Sequence, residues 1–214
     1  MNEGLIGFFG VLVGAFIAVA KDVLADLMGR RRRGRFAAVR IICVLDQYVE
    51  KCAAVVADDG TIDGNPPGSS ILGKDYYRPQ VVCPEPPVFP DDIDWTSIEP
   101  LVVYRILSLP NQAHQTDLMI SFCSNIASPP DFSELFSARR EGYTDLGFEA
   151  LSIADNLRRL FNFTKISITR FSPDWDSAQY LRDQNSELQC RRHRERARDE
   201  AVLKASNNGA GRAA

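Results

Sequence analysis

From Gly4 to Ala20 the chain reads GLIGFFGVLVGAFIAVA, with no charged side chain. A run of this kind has few places to go. Its length sits at the short end of the ~17–25 residues that cross the hydrocarbon core of a bilayer. Gly4, Gly7, Gly10 and Gly14 would weaken a helix in water, but glycine is well represented in membrane helices. A buried core helix is rarely free of polar groups on every face. A cleaved signal peptide carries basic residues ahead of its apolar stretch, and here only Met1, Asn2 and Glu3 come first. A mitochondrial presequence is arginine-rich and amphipathic, and this run is neither. Residues 1–29 are therefore expected to form a transmembrane anchor.

The arginines after the run set its orientation. Arg30, Arg31, Arg32, Arg33 and Arg35 form a basic juxtamembrane stretch (30–35), with Arg40 close behind and nothing basic ahead of the run. Under the positive-inside rule this pattern keeps the C-terminal side in the cytoplasm and sends the short N-terminus across. The expectation is a single-pass protein of the inner membrane whose first partner is the lipid bilayer. Gly7, Gly10, Gly14 and Ala18 fall on one helical stripe, a small-xxx-small pattern that lets two membrane helices approach closely.

The net charge of −3 conceals an alternation in blocks. Residues 21–40 are strongly basic, 41–189 strongly acidic, and 190–214 basic again. The cysteines at 43, 52, 83, 123 and 190 are odd in number, form no CxxC and suggest free thiols in a reducing compartment.

Downstream, Ala38, Ile42, Leu45, Val49, Cys52 and Val56 recur at helical period and predict a helix over 36–57, stopped by Asp58, Asp59 and Gly60. Residues 58–95 hold Pro66, Pro67, Pro79, Pro84, Pro86, Pro87 and Pro90, so this stretch reads as a long irregular insertion. In DWTSIEPLVVYRILSLP, Thr96 and Glu99 have capping-box spacing and Pro110 closes the segment. A further helix is expected over 111–126, and another over 131–161, opened by Asp131 and Glu134. On the latter, Phe132, Phe136, Arg139, Tyr143, Leu146, Ala150, Ile153, Leu157 and Leu160 form a seam facing other helices. TKISITRF at 164–171 reads as extended, beside 80–83. A charged helix over 172–205 and a disordered tail over 206–214 complete the chain. The fold class is mainly α: the anchor, then a cytoplasmic antiparallel bundle (36–171) of four or five helices.

The glycine-rich run, the arginines, DWTSIEPLVVYRILSLP and RREGYTDLGFEALSIADNLRRLF together resemble a group of uncharacterised bacterial membrane-anchored proteins. The resemblance spans most of 5–163 and implies an anchored helical architecture, with no activity to carry over.

Chemical motifs are sparse. His114 and His193 lack ligand partners at helical spacing, and no paired CxxC, phosphate-binding glycine loop or nucleophile elbow occurs. Nothing implies a cofactor, a metal or a catalytic residue. Asp91, Asp92 and Asp94 lack the spacing of a calcium loop. The basic stretch 190–204 has no aromatic residue for base stacking, which argues against nucleic acid, and Arg191–Glu195 and Arg196–Glu200 suit solvated i,i+4 pairs. The leading reading is a membrane-tethered interaction module that meets a protein partner or itself. The alternatives are an enzyme with a site in the acidic loops near Arg139, and a membrane-proximal binder of nucleic acid or anionic lipid through 190–204. Arg139, the one charge in the seam, is the candidate recognition residue.

Overall fold

The computed structural model describes the backbone of residues 3–69, 75–129, 131–164 and 175–210; the side chains of 1–15, 17–19, 69, 75, 203 and 205–214 lie outside that description. Within it the chain is mainly α, a packed four-helix bundle. The helices are α1 (Glu3–Ala57), α2 (Pro100–Ile126), α3 (Ser133–Phe161) and α4 (Ser177–Ala210), with a 3-10 turn at Trp95–Ser97. Two short strands, β1 (Gly68–Ser69) and β2 (Asp75–Tyr76), pair antiparallel within the insertion, Gly68 opposite Tyr76.

The seam read from the sequence explains why α3 sits in the middle. Tyr143, Leu146, Ala150, Ile153 and Leu157 are all buried, and α3 packs against α1, α2 and α4. Because the surrounding helices lie on several sides, the buried band also takes in Thr144, Gly147, Leu151, Ala154 and Arg158. The ends of the expected seam differ: Leu160 is exposed, and Phe132 and Phe136 are only partly covered.

Side-chain pairs give the helix directions. Asp46 meets Arg158 and Asp58 meets Arg139, so α1 and α3 run antiparallel. Arg105 meets Glu149 and Asp117 meets Tyr143, so α2 and α3 do too. It follows that α1 and α2 run in the same direction, and the chain between them must travel back along the bundle. The proline-rich insertion supplies this return. Cys83 is held beside Arg139 near the end of α1, while Asp92 is bound to Arg40 nearer its start. At about 1.5 Å per helical residue, Asp58 and Arg40 are roughly 27 Å apart. From Cys83 to Asp92 an extended proline-type chain, at about 3.1 Å per residue, covers roughly 28 Å. Proline suits the task because it favours that extended conformation and has no N–H to satisfy. Val81, Cys83, Phe89 and Trp95 pack along the core as the chain passes, and Ile93 is buried in it.

Several local expectations change. Pro110 lies inside α2 instead of closing a helix, so the separate helices expected at 96–110 and 111–126 are one. A proline in a helix interior costs about 3 kcal/mol; burial of Val102, Ile106, Leu109 and Ile120, at about 1.5–3 kcal/mol each, outweighs it. The Thr96–Glu99 capping box does not form: Asp94 caps the 3-10 turn through the Thr96 amide, and Pro100 opens α2 without a side-chain cap. Asp131 does not cap α3 either, since Phe132 holds that position in the left-handed region at φ 48°. The helical backbone of α4 runs to Ala210, well into the expected disordered tail. Of the segment 164–171, residues 165–171 lie outside the described residues, as do the side chains of the Gly7, Gly10, Gly14 and Ala18 stripe.

The helical backbone of α1 continues unbroken from the apolar run into the bundle. From Phe16 to Arg33 its described side chains are exposed or partly so, and burial starts at Gly34. Among the described residues no helix is long and apolar enough to cross a membrane; the run 4–20 falls largely on side chains outside that description.

Close packing around α3 yields the first prediction. A Cβ at Gly147 would lie 2.8 Å from Leu181 Cδ1 and 2.9 Å from Cys52 Cβ, between α4 and α1. Gly147→Ala should destabilise the bundle by about 1–3 kcal/mol through overpacking, measured by urea denaturation. Unchanged stability would mean that the three helices are not held at this distance.

Candidate functional site: an uncharged outer face on α2

In its whole length α2, PLVVYRILSLPNQAHQTDLMISFCSNI, contains two formal charges, Arg105 and Asp117. Both turn toward α3. Arg105 grips Glu149 with two hydrogen bonds of 2.9 and 3.0 Å and reaches Ser152 at 3.1 Å. Asp117 accepts a 2.8 Å hydrogen bond from the Tyr143 hydroxyl. With its charges spent on this side, the opposite side of α2 carries none.

That opposite side is apolar at both ends. Tyr104 is 72% exposed, Leu101 64%, Phe122 60% and Met119 59%, and Leu107, Leu118 and Ile126 are each about half exposed. Between the two clusters lie the exposed polar side chains of Asn111, Gln112, His114 and Gln115. A helix apolar on every side is ordinarily buried on every side, and α2 is covered on one. A contiguous apolar patch rimmed by polar residues is the usual mark of an interaction surface.

The residues expected to carry function are placed elsewhere. Arg139 is enclosed, its side chain 6% exposed, against Asp58 at 2%. It donates to Asp58 Oδ2 at 3.0 Å, to the Val81 carbonyl at 2.6 Å and to Cys83 Sγ at 3.1 Å. Asp58 in turn accepts the amides of Gly60, Gln80 and Val81. Both terminal nitrogens of Arg139 are thus committed to joining the insertion to α1 and α3, which is the work of a structural ion pair and not of a fork at the mouth of a cleft. Beside it, Tyr48, Cys52 and Tyr143 are buried, and the Tyr48 hydroxyl has no hydrogen-bond partner. Burial pushes Cys52 and both tyrosines well above their ordinary pKa values. The Cys52 thiol therefore stays protonated and is a poor nucleophile.

The basic run is partly absorbed by packing. Arg33 pairs with Asp94 at 3.2 Å, Arg40 with Asp92 at 2.8 Å, and Arg35 stacks over Phe163 at 5.2 Å. Arg30 lines an open cleft of about 690 Å³ with Trp95, Ser97 and Tyr104, while Arg31 and Arg32 are exposed. The acidic loop thus holds arginines, and among the described residues no group of metal-ligating side chains is assembled. At the other basic end, Arg192 binds Asp145 with hydrogen bonds of 3.0 and 2.8 Å and Arg191 binds Glu141 at 2.6 Å. The solvated pairing expected for Arg191 within α4 gives way to one with α3. His114 and His193 are exposed.

The α2 face was not singled out in the sequence because Pro110 splits it into two short segments when read as a terminator. The absence of charge between Arg105 and Asp117 was the available signal.

Two outcomes test this assignment of roles. Arg139→Met leaves Asp58 buried without its cation and should cost about 3–5 kcal/mol, measured by chemical denaturation; a neutral result would show that the pair is not needed to hold the insertion. The second concerns pH. The Arg40 hydrogen bond lowers the pKa of Asp92, and the Thr96 hydroxyl lowers that of Asp94. Groups lowered in the folded state stabilise it above their unfolded value of ~3.9 and lose that effect as the pH falls through the folded value. Trp95 fluorescence, in a Trp175→Phe background, should stay constant from pH 7 to about 5 and change only below ~4; a change near neutrality would contradict this.

No protein-family model, characterised protein or solved structure matches this chain, so its function has to be read from the geometry itself.

Proposed function

We propose that this chain is a membrane-tethered interaction module, anchored by the apolar run 4–20, that docks a protein partner on the outer face of α2. The observation that carries the docking half is that face: apolar at both ends, free of charge and uncovered. The tethering half is supported by the uncharged run and the arginines that follow it. It is supported too by the continuity of α1, because a single unbroken helix would transmit the position of the anchor directly to the bundle. Val23, Leu24, Leu27 and Met28 are exposed on the stretch between run and bundle. By the positive-inside rule the bundle lies on the cytoplasmic side, and the exposed Arg31 and Arg32 are then near the anionic headgroups that such residues favour. An enzyme finds no support in the inert Cys52 or the enclosed Arg139.

Two measurements test the two halves separately. The full-length protein should remain with membranes through an alkaline carbonate wash, and a reporter fused after Ala214 should read as cytoplasmic. Release by the wash would remove the anchor. A photo-crosslinking amino acid at position 122 should give protein adducts in cells, and the same group at position 202 on α4 should not. Absence of adducts at 122 would remove the docking face.

A further inference from the structure

We infer that the partner of the α2 face is a second copy of this chain, paired antiparallel about a two-fold axis that crosses the outer face of α2 at the level of Ala113. This rests on reading the face as a docking surface and goes further by naming what covers it. Part of the pattern on the face is palindromic. Tyr104 and Phe122 stand at equal distances on either side of Ala113, as do Leu107 and Met119, and Asn111 and Gln115. Ala113 itself is buried against α3, so these pairs lie on the far side of the helix from the core.

Reversing the helix about a perpendicular two-fold axis brings each residue to the level of its mirror, and side chains on the midline of the face then meet directly. Tyr104 of one copy meets Phe122 of the other, Leu107 meets Leu118 along one edge, and the Asn111 and Gln115 amides meet in the middle, where each can donate and accept. A two-fold contact requires such a self-complementary surface. The lack of charge serves the same end, since any fixed charge on an isologous face risks meeting its own kind. A partner chosen by charge would have left opposite charges on the face to select it. A helix lying on a bilayer would carry lysine or arginine along its polar margin, and the single arginine of α2 is bound to Glu149. The area is adequate. Seven large apolar side chains, each half exposed or more, offer roughly 700 Å² at ~150–250 Å² per full side chain, against about 800 Å² per partner in a standard interface.

The symmetry has a consequence for the tether. Because α1 and α2 run in the same direction, antiparallel pairing of α2 sends the two α1 N-termini to opposite ends of the pair. Copies anchored through 4–20 and paired in this way would have to sit in two membrane surfaces whose cytoplasmic sides face one another.

The test uses the full-length chain in detergent. The wild type should sediment with twice the mass of one chain, and Phe122→Glu, at an exposed position, should keep its helical circular dichroism while weakening the pair by about 100-fold. In a background with Cys43, Cys123 and Cys190 replaced by serine, a mixture of Tyr104→Cys and Phe122→Cys chains should oxidise to a crosslinked pair, and neither variant alone should. Crosslinking of Tyr104→Cys with itself would overturn the antiparallel arrangement. A monomeric wild type whose position-122 adducts contain a different protein would overturn the second copy as occupant while leaving the docking face standing. A monomer with no adduct at all would overturn both.

Discussion

The direction of α3 governs the rest of the fold. Its buried band is wide enough to demand cover on several sides, and the neighbours before it in sequence, α1 and α2, both run against it. Two helices consecutive in the chain yet pointing the same way need a connection as long as the bundle itself, as in helix bundles with a long crossover. The proline-rich stretch is that crossover. Asp58 and Arg139 fix its upper end, and Arg40 and Arg33 grip its lower end through Asp92 and Asp94. Composition that looks like a flexible loop is in effect a rod of defined length.

The same helix explains the alternating charge of the chain. Helix α3 offers Glu141, Asp145, Glu149 and Asp155 outward and Arg139 and Arg158 inward, and each surrounding helix answers with the opposite sign. Arg105 comes from α2, Arg182, Arg191 and Arg192 from α4, and Asp46 from α1, with Asp58 just beyond its end. Exposed pairs of this kind contribute about 0–1 kcal/mol each, so the core and not the charges holds the bundle together. Their value lies in register, since a one-turn slip of α2 would separate Arg105 from Glu149 and leave Leu101 or Leu109 in its place. The basic and acidic blocks are thus matched within the molecule at Arg33, Arg40, Arg191 and Arg192.

Among the described residues, two apolar surfaces stay uncovered: Val23, Leu24, Leu27 and Met28 on α1, and the outer face of α2. Both belong to helices that the bundle uses on one side only. An apolar surface left uncovered while α3 is joined by ion pairs to each of its neighbours is a feature that interaction, and not folding, has to account for.

Much of this was legible in the sequence. Helical period on 36–57 and on 131–161 determined which faces meet, because burial follows the 3.6-residue repeat wherever apolar residues recur on it. The proline stretch was legible as non-helical for the same local reason. What the tertiary structure decided were the features that depend on residues distant in sequence. Burial against α3 overrode the helix-breaking tendency of Pro110 and so turned two short segments into one long exposed face. Arg139 found Asp58, far away in the chain, which turned a candidate for recognition into a structural pair. Arg191 found Glu141 in preference to a neighbour in its own helix. Periodicity reports which side of a helix is buried, but the identity of a charged partner depends on how the helices are ordered in space, and only the packing around α3 determines that order.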